Sequence, residues 1–346
     1  MKKILFATTA LVATAGVASA DVALSGWAEM GIYGGDSVNE GFFQDIDVTF
    51  TMSGTTDNGL TFGASVDLDE PGAFTPNDDG GATVFISGDF GTVTMGDTDG
   101  ALDWAMTEAW VGNAGSLADD ETAHAGAMGA YGDGAYDGQI LRYNYSVGDF
   151  GVAVSVEMDD TGLRDAGYAI GFRYGMDLGG ADLSLGLGYQ TFQQVGIANP
   201  RRPIIAGIEH RTVNALPDVL ALDVDIIGVS AAVTTSYGLS AAIQYSVWDI
   251  SGPMDRVRVD GSGIAATSHE VTHVGVGIGY EFDAFTVSAN WGQFDSDVIG
   301  EQSGYGLAAA YDLGGGLGLH VGYGFSDPFG VQDDIQTWSF GAAMSF

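Results

Sequence analysis

The amino-acid sequence predicts an all-β protein, a transmembrane antiparallel β-barrel of about sixteen strands. Three observations lead to this fold class. Many segments alternate apolar residues with small or polar ones, glycine- and aspartate-rich turns recur between them, and no segment after the first twenty residues is apolar enough for a membrane helix. Because the side chains of a strand alternate between two faces, each such segment has one apolar and one polar face.

The first twenty residues have the form of a secretory signal peptide. Two lysines are followed by an apolar stretch, and residues 18–20 (Ala-Ser-Ala) form a small-residue cleavage motif. The apolar stretch is shorter than the ~20 residues that a membrane-spanning helix needs. We therefore expect cleavage of residues 1–20 and export of residues 21–346 as a single barrel domain.

The last predicted strand shows the alternation most clearly. In residues 334–346, Trp338, Phe340 and Met344 share one face, whereas the other face carries Thr, Ser, Gly and Ala. The same alternation is found in residues 46–53, 140–147, 168–178, 239–247 and 285–292. A face of small and polar residues suits a water-filled interior better than contact with a second sheet. We expect the strand that ends at Phe346 to pair with the first strand, which leaves no open edge.

Short and long connections alternate between the predicted strands. Seven short ones are rich in Gly and Asp, as in tight hairpins, and lie at residues 57–59, 89–91, 149–151, 179–180, 237–238, 283–284 and 314–315. Eight longer polar ones lie near residues 35–41, 70–81, 98–138, 160–165, 193–223, 250–269, 296–302 and 326–333. Together they join sixteen strands, an even number as in bacterial outer-membrane barrels.

The composition is strongly acidic and rich in glycine. Cleavage after residue 20 removes the only two lysines, which leaves eight arginines, 46 acidic residues and a formal net charge of −38 (8 − 46). Nucleic acid is not an expected partner, because phosphate binding needs a basic patch. Glycine contributes 55 of 346 residues, about twice its usual share, which suits turns and a crowded barrel wall.

Several segments resemble those of a known family. They are DVALSGWAEMGIYGG (21–35), DNGLTFGASVDL (57–68), DFGTVTMGDTDGAL (89–102) and the terminal Phe346. In this order, and with the signal peptide and strand count, they make the chain similar to general Gram-negative outer-membrane porins, most like the trimeric sixteen-stranded Rhodobacter type of alphaproteobacteria. The resemblance implies a homotrimer in outer-membrane lipid and lipopolysaccharide. It also implies a passive, water-filled channel for ions and small hydrophilic solutes.

The resemblance further implies that the third long loop folds into the lumen and narrows it, facing basic side chains on the opposite wall. Here the longest predicted connection, residues 98–138, follows the fifth strand, and it is acidic and lacks Lys and Arg. The candidate constriction residues are Asp97, Asp99, Asp103 and Glu108, opposite Arg142 and Arg173.

The predicted wall departs from the family's pattern. The family often carries basic residues on the inner faces of its first strands, whereas this sequence has Glu29, Asp45 and Asp47 there. Acidic groups beside a narrow pore attract cations and repel anions. We therefore expect a channel that prefers cations.

A cluster of carboxylates could bind calcium, whose ligands are oxygen atoms. Asp119, Asp120 and Glu121 are adjacent but lack the EF-hand spacing, so a structural calcium ion competes with simple solvation of the cluster. We expect no other cofactor. The sequence has no GxSxG elbow, P-loop or dinucleotide fingerprint between a strand and a helix, and we do not expect an enzyme.

Two other functions fit parts of the pattern. A secreted, acidic, β-rich adhesion or calcium-binding surface protein would bury its apolar faces and remain soluble without detergent. A solute-specific channel would need a ladder of basic residues for anions or a row of lumenal aromatic residues for sugars. The basic ladder is missing, and only Trp27 and Trp248 suggest the aromatic row.

Overall fold

The computed structural model describes most of the chain after residue 20. The described residues are 21–36, 39–69, 81–111, 114–119, 121–136, 139–159, 162, 164–196, 220–252, 257–259, 262–264, 268–296, 298, 300–330 and 333–346. The predicted signal peptide, residues 1–20, lies outside them.

The described residues form eighteen strands. The first nine are β1 Asp21–Gly35, β2 Gly41–Thr55, β3 Thr61–Asp69, β4 Gly81–Gly88, β5 Gly91–Gly96, β6 Ile140–Val147, β7 Phe150–Glu157, β8 Gly167–Asp177 and β9 Ala181–Gly196. The others are β10 Leu220–Thr235, β11 Leu239–Ser251, β12 Val257–Val259, β13 Ser262–Ile264, β14 Ser268–Phe282, β15 Phe285–Ser296, β16 Gly300–Gly314, β17 Leu317–Asp327 and β18 Ile335–Ser345.

Sixteen of the described strands, all except β12 and β13, form one closed antiparallel barrel. Strands that follow one another in the barrel pair with each other, and β1 closes the sheet by pairing with both β2 and β18. Trp27 on β1, for example, lies opposite Asp47 on β2 and Ser345 on β18. The predicted closed barrel of sixteen antiparallel strands is confirmed.

The two faces of the sheet differ as the alternation predicts. On β18, Phe340 is 51% exposed, whereas the neighbouring Ser339 points to the other face and is only 2% exposed. Leu24, Phe172 and Ile243 belong to the same exposed apolar face. A water-soluble protein would bury such a face, whereas lipid hydrocarbon is its natural surrounding. The fold thus gives no support to a soluble adhesion protein.

Tight turns and aromatic rings mark one end of the barrel. Gly238 has a φ of +95° in the turn between β10 and β11, where a larger residue would be strained. Phe282 and Phe285 flank the next short turn with their ring centroids 5.5 Å apart, and Tyr311 lies 4.6 Å from Phe285. Aromatic rings at this level are typical of a girdle at the membrane surface.

At the other end, the longest strands extend past the length that a membrane requires. β9 and β10 have 16 residues each, whereas ~9–11 residues span a bilayer. On the upper part of β10 the pattern reverses, because Val224 and Ile226 are buried on the inner side while Asp223 is exposed. Gln193 on β9 donates a 2.8 Å hydrogen bond to Asp223. This reversal was not predicted, and it fits strand ends that lie beyond the hydrocarbon.

Three smaller elements complete the described structure. A one-turn helix, α1, spans Ala101–Ala105, and a 3-10 turn spans Leu117–Asp119. Strands β12 and β13 pair with each other as a hairpin inside the connection predicted at residues 250–269. Within the described ranges, no helix is both long and apolar enough to cross a membrane.

Candidate functional site

The candidate site is built on the connection between β5 and β6, residues 97–139, which we call the packed segment. Its helix α1 contacts β7, β8 and β9, and Ala101 and Leu102 are fully buried. Leu102 lies against Gly188 and Gly228 on the polar face of the wall. The segment therefore packs on the face opposite the exposed apolar one.

Hydrogen bonds join the packed segment to strands all around the barrel. Wall side chains that donate to segment carbonyl oxygens are Gln244 to Met128 (3.0 Å), Asn290 to Thr122 (2.7 Å) and Gln302 to Ala125 (2.9 Å). Wall side chains that accept from segment amides are Glu29 from Ala118 (2.8 Å), Ser155 from Ala101 (2.8 Å), Glu157 from Tyr136 (3.1 Å), Ser230 from Thr107 (2.9 Å) and Ser326 from Ala125 (3.0 Å). These bonds satisfy backbone groups that would otherwise be buried without partners.

Wall glycines let the segment backbone approach the sheet closely. Gly171, Gly186 and Gly277 face the carbonyl oxygens of Ala101, Ala105 and Ala109, respectively. A Cβ atom at any of these glycines would overlap the oxygen that it faces. Because these partners are backbone atoms, they cannot swing aside as a flexible side chain can. The glycine-rich composition thus has a local cause at these positions.

Arg142 contacts one of the predicted constriction acids. Its Nη1 donates a 2.7 Å hydrogen bond to the backbone oxygen of Asp99 and lies 3.6 Å from the Asp99 carboxylate. The Asp99 side chain is 61% exposed, so water screens the ion pair, and such pairs contribute at most ~1 kcal/mol.

Arg173 lies on an aromatic ring. Its guanidinium carbon is 3.8 Å from the centroid of the Trp104 ring, a cation–π contact. Arg142 therefore contacts Asp99, whereas Arg173 contacts the indole.

Asp133 is a partly buried acid that the sequence analysis did not select. It accepts hydrogen bonds from the backbone amide of Gly100 and from Nε2 of Gln190, the latter at 3.0 Å. Burial raises the pKa of its carboxyl group to about 7, although both hydrogen bonds favour the charged form. The two hydrogen bonds of Asp133 connect the start of α1 to β9.

Asp103 lies in the same group of acids. Burial is the main reason that its pKa is raised to about 8, and the neighbouring charges of Asp133, Glu108 and Asp99 add to the increase. Arg142 acts in the opposite direction. The candidate site thus contains carboxyl groups that change charge near neutral pH.

Asp97 and Glu29 are held against the wall. The backbone amide of Asp97 donates a 2.9 Å hydrogen bond to Ala82 on β4, and its carboxylate lies beside Gly81. Glu29 on β1 is 6% exposed and bonds the segment through Ala118. Glu29 therefore anchors the segment as well as belonging to the predicted wall.

Asp45 and Asp47 lie on β2 in an acidic stretch of the sheet. Asp45 pairs in register with Glu29 on β1, and Asp47 pairs with Asp69 on β3. Next to them, Asp67 accepts a 2.9 Å hydrogen bond from a threonine hydroxyl on β2. The described part of this wall therefore presents several carboxylates on one face.

The carboxylate cluster considered for calcium is divided in the structure. Glu121 is buried and accepts a 2.6 Å hydrogen bond from Ser339. Asp119 ends the 3-10 turn, and Asp120 lies outside the described residues. In the ranges that the structure describes, no group of three or more His, Cys, Asp or Glu side chains could hold a metal ion together. The calcium hypothesis stays a prediction.

The sequence of this chain is similar to those of known proteins. A family model described as Gram-negative porin matches residues 7–328. A porin of Rhodobacter capsulatus is 31% identical over 319 residues, which cover 89% of this chain and 95% of that protein.

Solved structures give the same result. A Rhodobacter porin refined at 1.8 Å resolution superposes with a TM-score of 0.69 and 26% identity, over 94% of this chain and all of that chain. OmpT, an outer-membrane protein of Vibrio cholerae, superposes with a TM-score of 0.67 over 98% of this chain and all of its own, at 11% identity, and so shows the fold alone. The chain belongs to the Gram-negative porin family, as an integral β-barrel protein of the outer membrane and a passive channel.

Proposed function

We propose that the chain conducts ions and small hydrophilic solutes with a preference for cations, and that the packed segment lies inside the lumen as its constriction. The observation that carries the proposal is the set of hydrogen bonds from the segment to the polar face of the wall. Among them are bonds to Glu29 on β1 and Ser230 on β10. These strands are seven places apart in the ring of sixteen, so one segment reaches both inner faces only from within.

The charges of the segment and the wall support a preference for cations. Asp99, Asp103 and Glu108 lie on the segment, while Asp45 and Asp47 lie on the wall. Arg142 and Arg173 already contact Asp99 and Trp104. At 1 M salt the Debye length is ~3 Å, so outer loops are screened and only charges beside the ion's path act on it. The net acidity near the segment therefore decides which ions pass.

The assembly proposed for the channel is a homotrimer in outer-membrane lipid and lipopolysaccharide. OmpT has been solved in a trimer form, with a TM-score of 0.64 to this chain. A trimer also agrees with the family resemblance in the sequence.

The test is selectivity in a planar bilayer. At pH 9, where Asp103 is ionised, a variant with Asp99→Asn, Asp103→Asn and Glu108→Gln should lose much of the cation preference measured from the reversal potential in a salt gradient. The matched control is Asp57→Asn, Asp149→Asn and Asp283→Asn, which removes the same charge from exposed short turns. Unchanged selectivity in the first variant, or an equal loss in the control, would remove the segment from the selectivity mechanism.

A further inference from the structure

Two buried histidines bind the same residue of the packed segment. The amide of Gly126 donates a 3.1 Å hydrogen bond to Nδ1 of His124, which lies on the segment itself. The carbonyl oxygen of Gly126 lies 3.0 Å from Nε2 of His273, which lies on β14. His124 is 6% exposed and His273 is 1% exposed. The two imidazoles therefore occupy both backbone polar groups of one residue.

Gly126 lies directly against the wall at this point. A Cβ atom on Gly126 would overlap the carbonyl oxygen of Gly292 on β15, and a Cβ atom on Gly292 would overlap the carbonyl oxygen of Gly126. The preceding residue, Ala125, is bonded to Gln302 on β16 and to Ser326 on β17. The two histidines thus hold the segment where it contacts four neighbouring strands, β14 to β17.

The hydrogen bonds determine which ring nitrogens carry protons. The amide of Gly126 can only donate, so Nδ1 of His124 is the acceptor and has no proton. The carbonyl oxygen of Gly126 can only accept, so Nε2 of His273 carries a proton. Nε2 of His124 and Nδ1 of His273 have no hydrogen-bond partner among the described residues. The bond between His124 and Gly126 therefore exists only while His124 is neutral.

The surroundings of His124 disfavour a positive charge. Burial lowers the pKa of His124 to about 4, and the charge of the neighbouring His273 contributes to this. The ring of His273 packs on Phe294 of β15, with the ring centroids 4.4 Å apart. Glu121 is the nearest acid along the segment, but its carboxylate is bonded to Ser339 on β18. A proton on His124 would thus be a charge in an apolar contact.

We propose that His124 and His273 are positioning residues that hold the packed segment against β15, and that acid releases this attachment. Protonation of His124 places an N–H group at Nδ1, where it faces the amide of Gly126, and the hydrogen bond between them is lost. The consequence for the channel rests on the proposed function, because a released segment changes the current only if it lies in the ion path.

The attachment should weaken over a defined pH range. In a released segment His124 ionises near its ordinary pKa of 6.5, whereas in the attached segment it stays neutral down to about pH 4. Between these values the released state binds more protons, so the attachment weakens as pH falls from 6.5 toward 4. Asp103 and Asp133, with pKa values of about 8 and 7, ionise above this range.

Hydrogen exchange of the purified full-length protein in detergent, read by mass spectrometry and corrected for the intrinsic rate at each pH, tests the attachment without conduction. Protection of residues 122–128 should fall at least tenfold from pH 7 to pH 4.5. His124→Asn retains an acceptor in place of Nδ1, and His273→Gln retains a donor in place of Nε2, yet neither side chain titrates. The double variant should keep its protection within twofold.

The matched control is His320→Asn. Nδ1 of His320 lies 2.8 Å from the carbonyl oxygen of Gly115, at another contact between the segment and the wall. Because a protonated ring can still donate to a carbonyl oxygen, this variant should respond to acid as the parent protein does. His124→Ala, which removes the acceptor, should show low protection of residues 122–128 already at pH 7.

The proposal is overturned if the parent protein keeps its protection at pH 4.5, or if the double variant loses as much as the parent. A response that disappears in His320→Asn instead would also overturn it. Folding is checked by the thermal unfolding midpoint, and His124→Asn alone decides the question if the double variant does not fold. An acid response as expected, in a channel whose selectivity ignores Asp99, Asp103 and Glu108, would support the attachment and contradict the constriction.

Discussion

Ser339 donates a 2.6 Å hydrogen bond to the carboxylate of Glu121, although 218 residues separate the two in sequence. Both residues are almost completely buried, at 2% and 1% exposed. Ser339 belongs to β18, which closes the barrel against β1. The bond therefore attaches the packed segment to the seam of the barrel.

Replacing this serine should weaken the attachment. In Ser339→Ala, the Glu121 carboxylate loses a buried donor, and an unsatisfied buried group costs ~1–3 kcal/mol, or more when charged. We expect a lower thermal unfolding midpoint and faster proteolysis within residues 97–139. Ser146→Ala, at an exposed strand position, is the control. Equal stability of the two variants would mean that the Glu121 contact contributes little.

Because the packed segment approaches the wall closely, one glycine of β8 should be sensitive to substitution by alanine, whereas another should tolerate it. A Cβ atom at Gly171 would overlap the carbonyl oxygen of Ala101, whereas a Cβ atom at Gly175, on the same face, would meet nothing within 4 Å. We expect Gly171→Ala to destabilise the protein by ~1–3 kcal/mol, as overpacking does, and to change single-channel conductance. Gly175→Ala should behave like the parent protein, and a Gly171→Ala channel with unaltered conductance would argue against the close packing.

Ionisation of the partly buried acids Asp103 and Asp133 should make selectivity depend on pH. The pKa of Asp133 is raised to about 7 and that of Asp103 to about 8, chiefly by burial. Cation preference should therefore increase as pH rises from 6 to 9. The titratable and charged groups near Asp103 are Asp133, Glu108, Asp99, Arg142 and Tyr131. Reversal potentials across this pH range provide the measurement, and Asp103→Asn should remove the upper part of the increase.

The same shift has a consequence for stability. In the unfolded chain Asp103 ionises near its ordinary pKa of 3.8, whereas in the folded chain it holds its proton to about pH 8. Between these values the unfolded state binds fewer protons, so this group's contribution to stability falls as pH rises. The parent protein should therefore lose more stability than Asp103→Asn between pH 5 and 8. Parallel unfolding midpoints of the two proteins would contradict the raised pKa.

Removal of Arg142 should strengthen the preference for cations. Its guanidinium lies 3.6 Å from the Asp99 carboxylate, and a charge pair at about this distance is worth ~1 kcal/mol in water. Arg142→Gln should increase cation over anion permeability by up to about fivefold, because ~1 kcal/mol corresponds to that ratio. The Asp103 pKa should also rise, since Arg142 lowers it. Unchanged selectivity would show that Arg142 does not act on the ion path.

The strands could be predicted from the sequence because alternation along a chain is a local property. Residues 285–292, for example, lie entirely in β15. The connection predicted at residues 98–138 begins within two residues of the end of β5 and ends within two residues of the start of β6. The hairpin of β12 and β13 was missed, since three-residue strands are too short to show a period.

The interior of the site could not be predicted in the same way. Glu121 has the sequence context of a solvated acidic cluster, yet it is buried because the path of the packed segment brings it to Ser339. Asp133 is partly buried for the same reason, through Gly100 and Gln190. The glycine content of strands such as β8 does predict a crowded wall, but it does not show which backbone atoms each glycine faces.

The central claim is that an acidic segment lines the path of ions through this barrel. Single-channel recording of the purified protein in a planar bilayer, with a salt gradient across it, tests the claim most directly. We expect discrete conductance steps and a reversal potential whose sign indicates a preference for cations. This reversal potential should become smaller when Asp99, Asp103 and Glu108 are neutralised together. An absence of conductance, or a reversal potential whose sign indicates a preference for anions, would contradict the central claim.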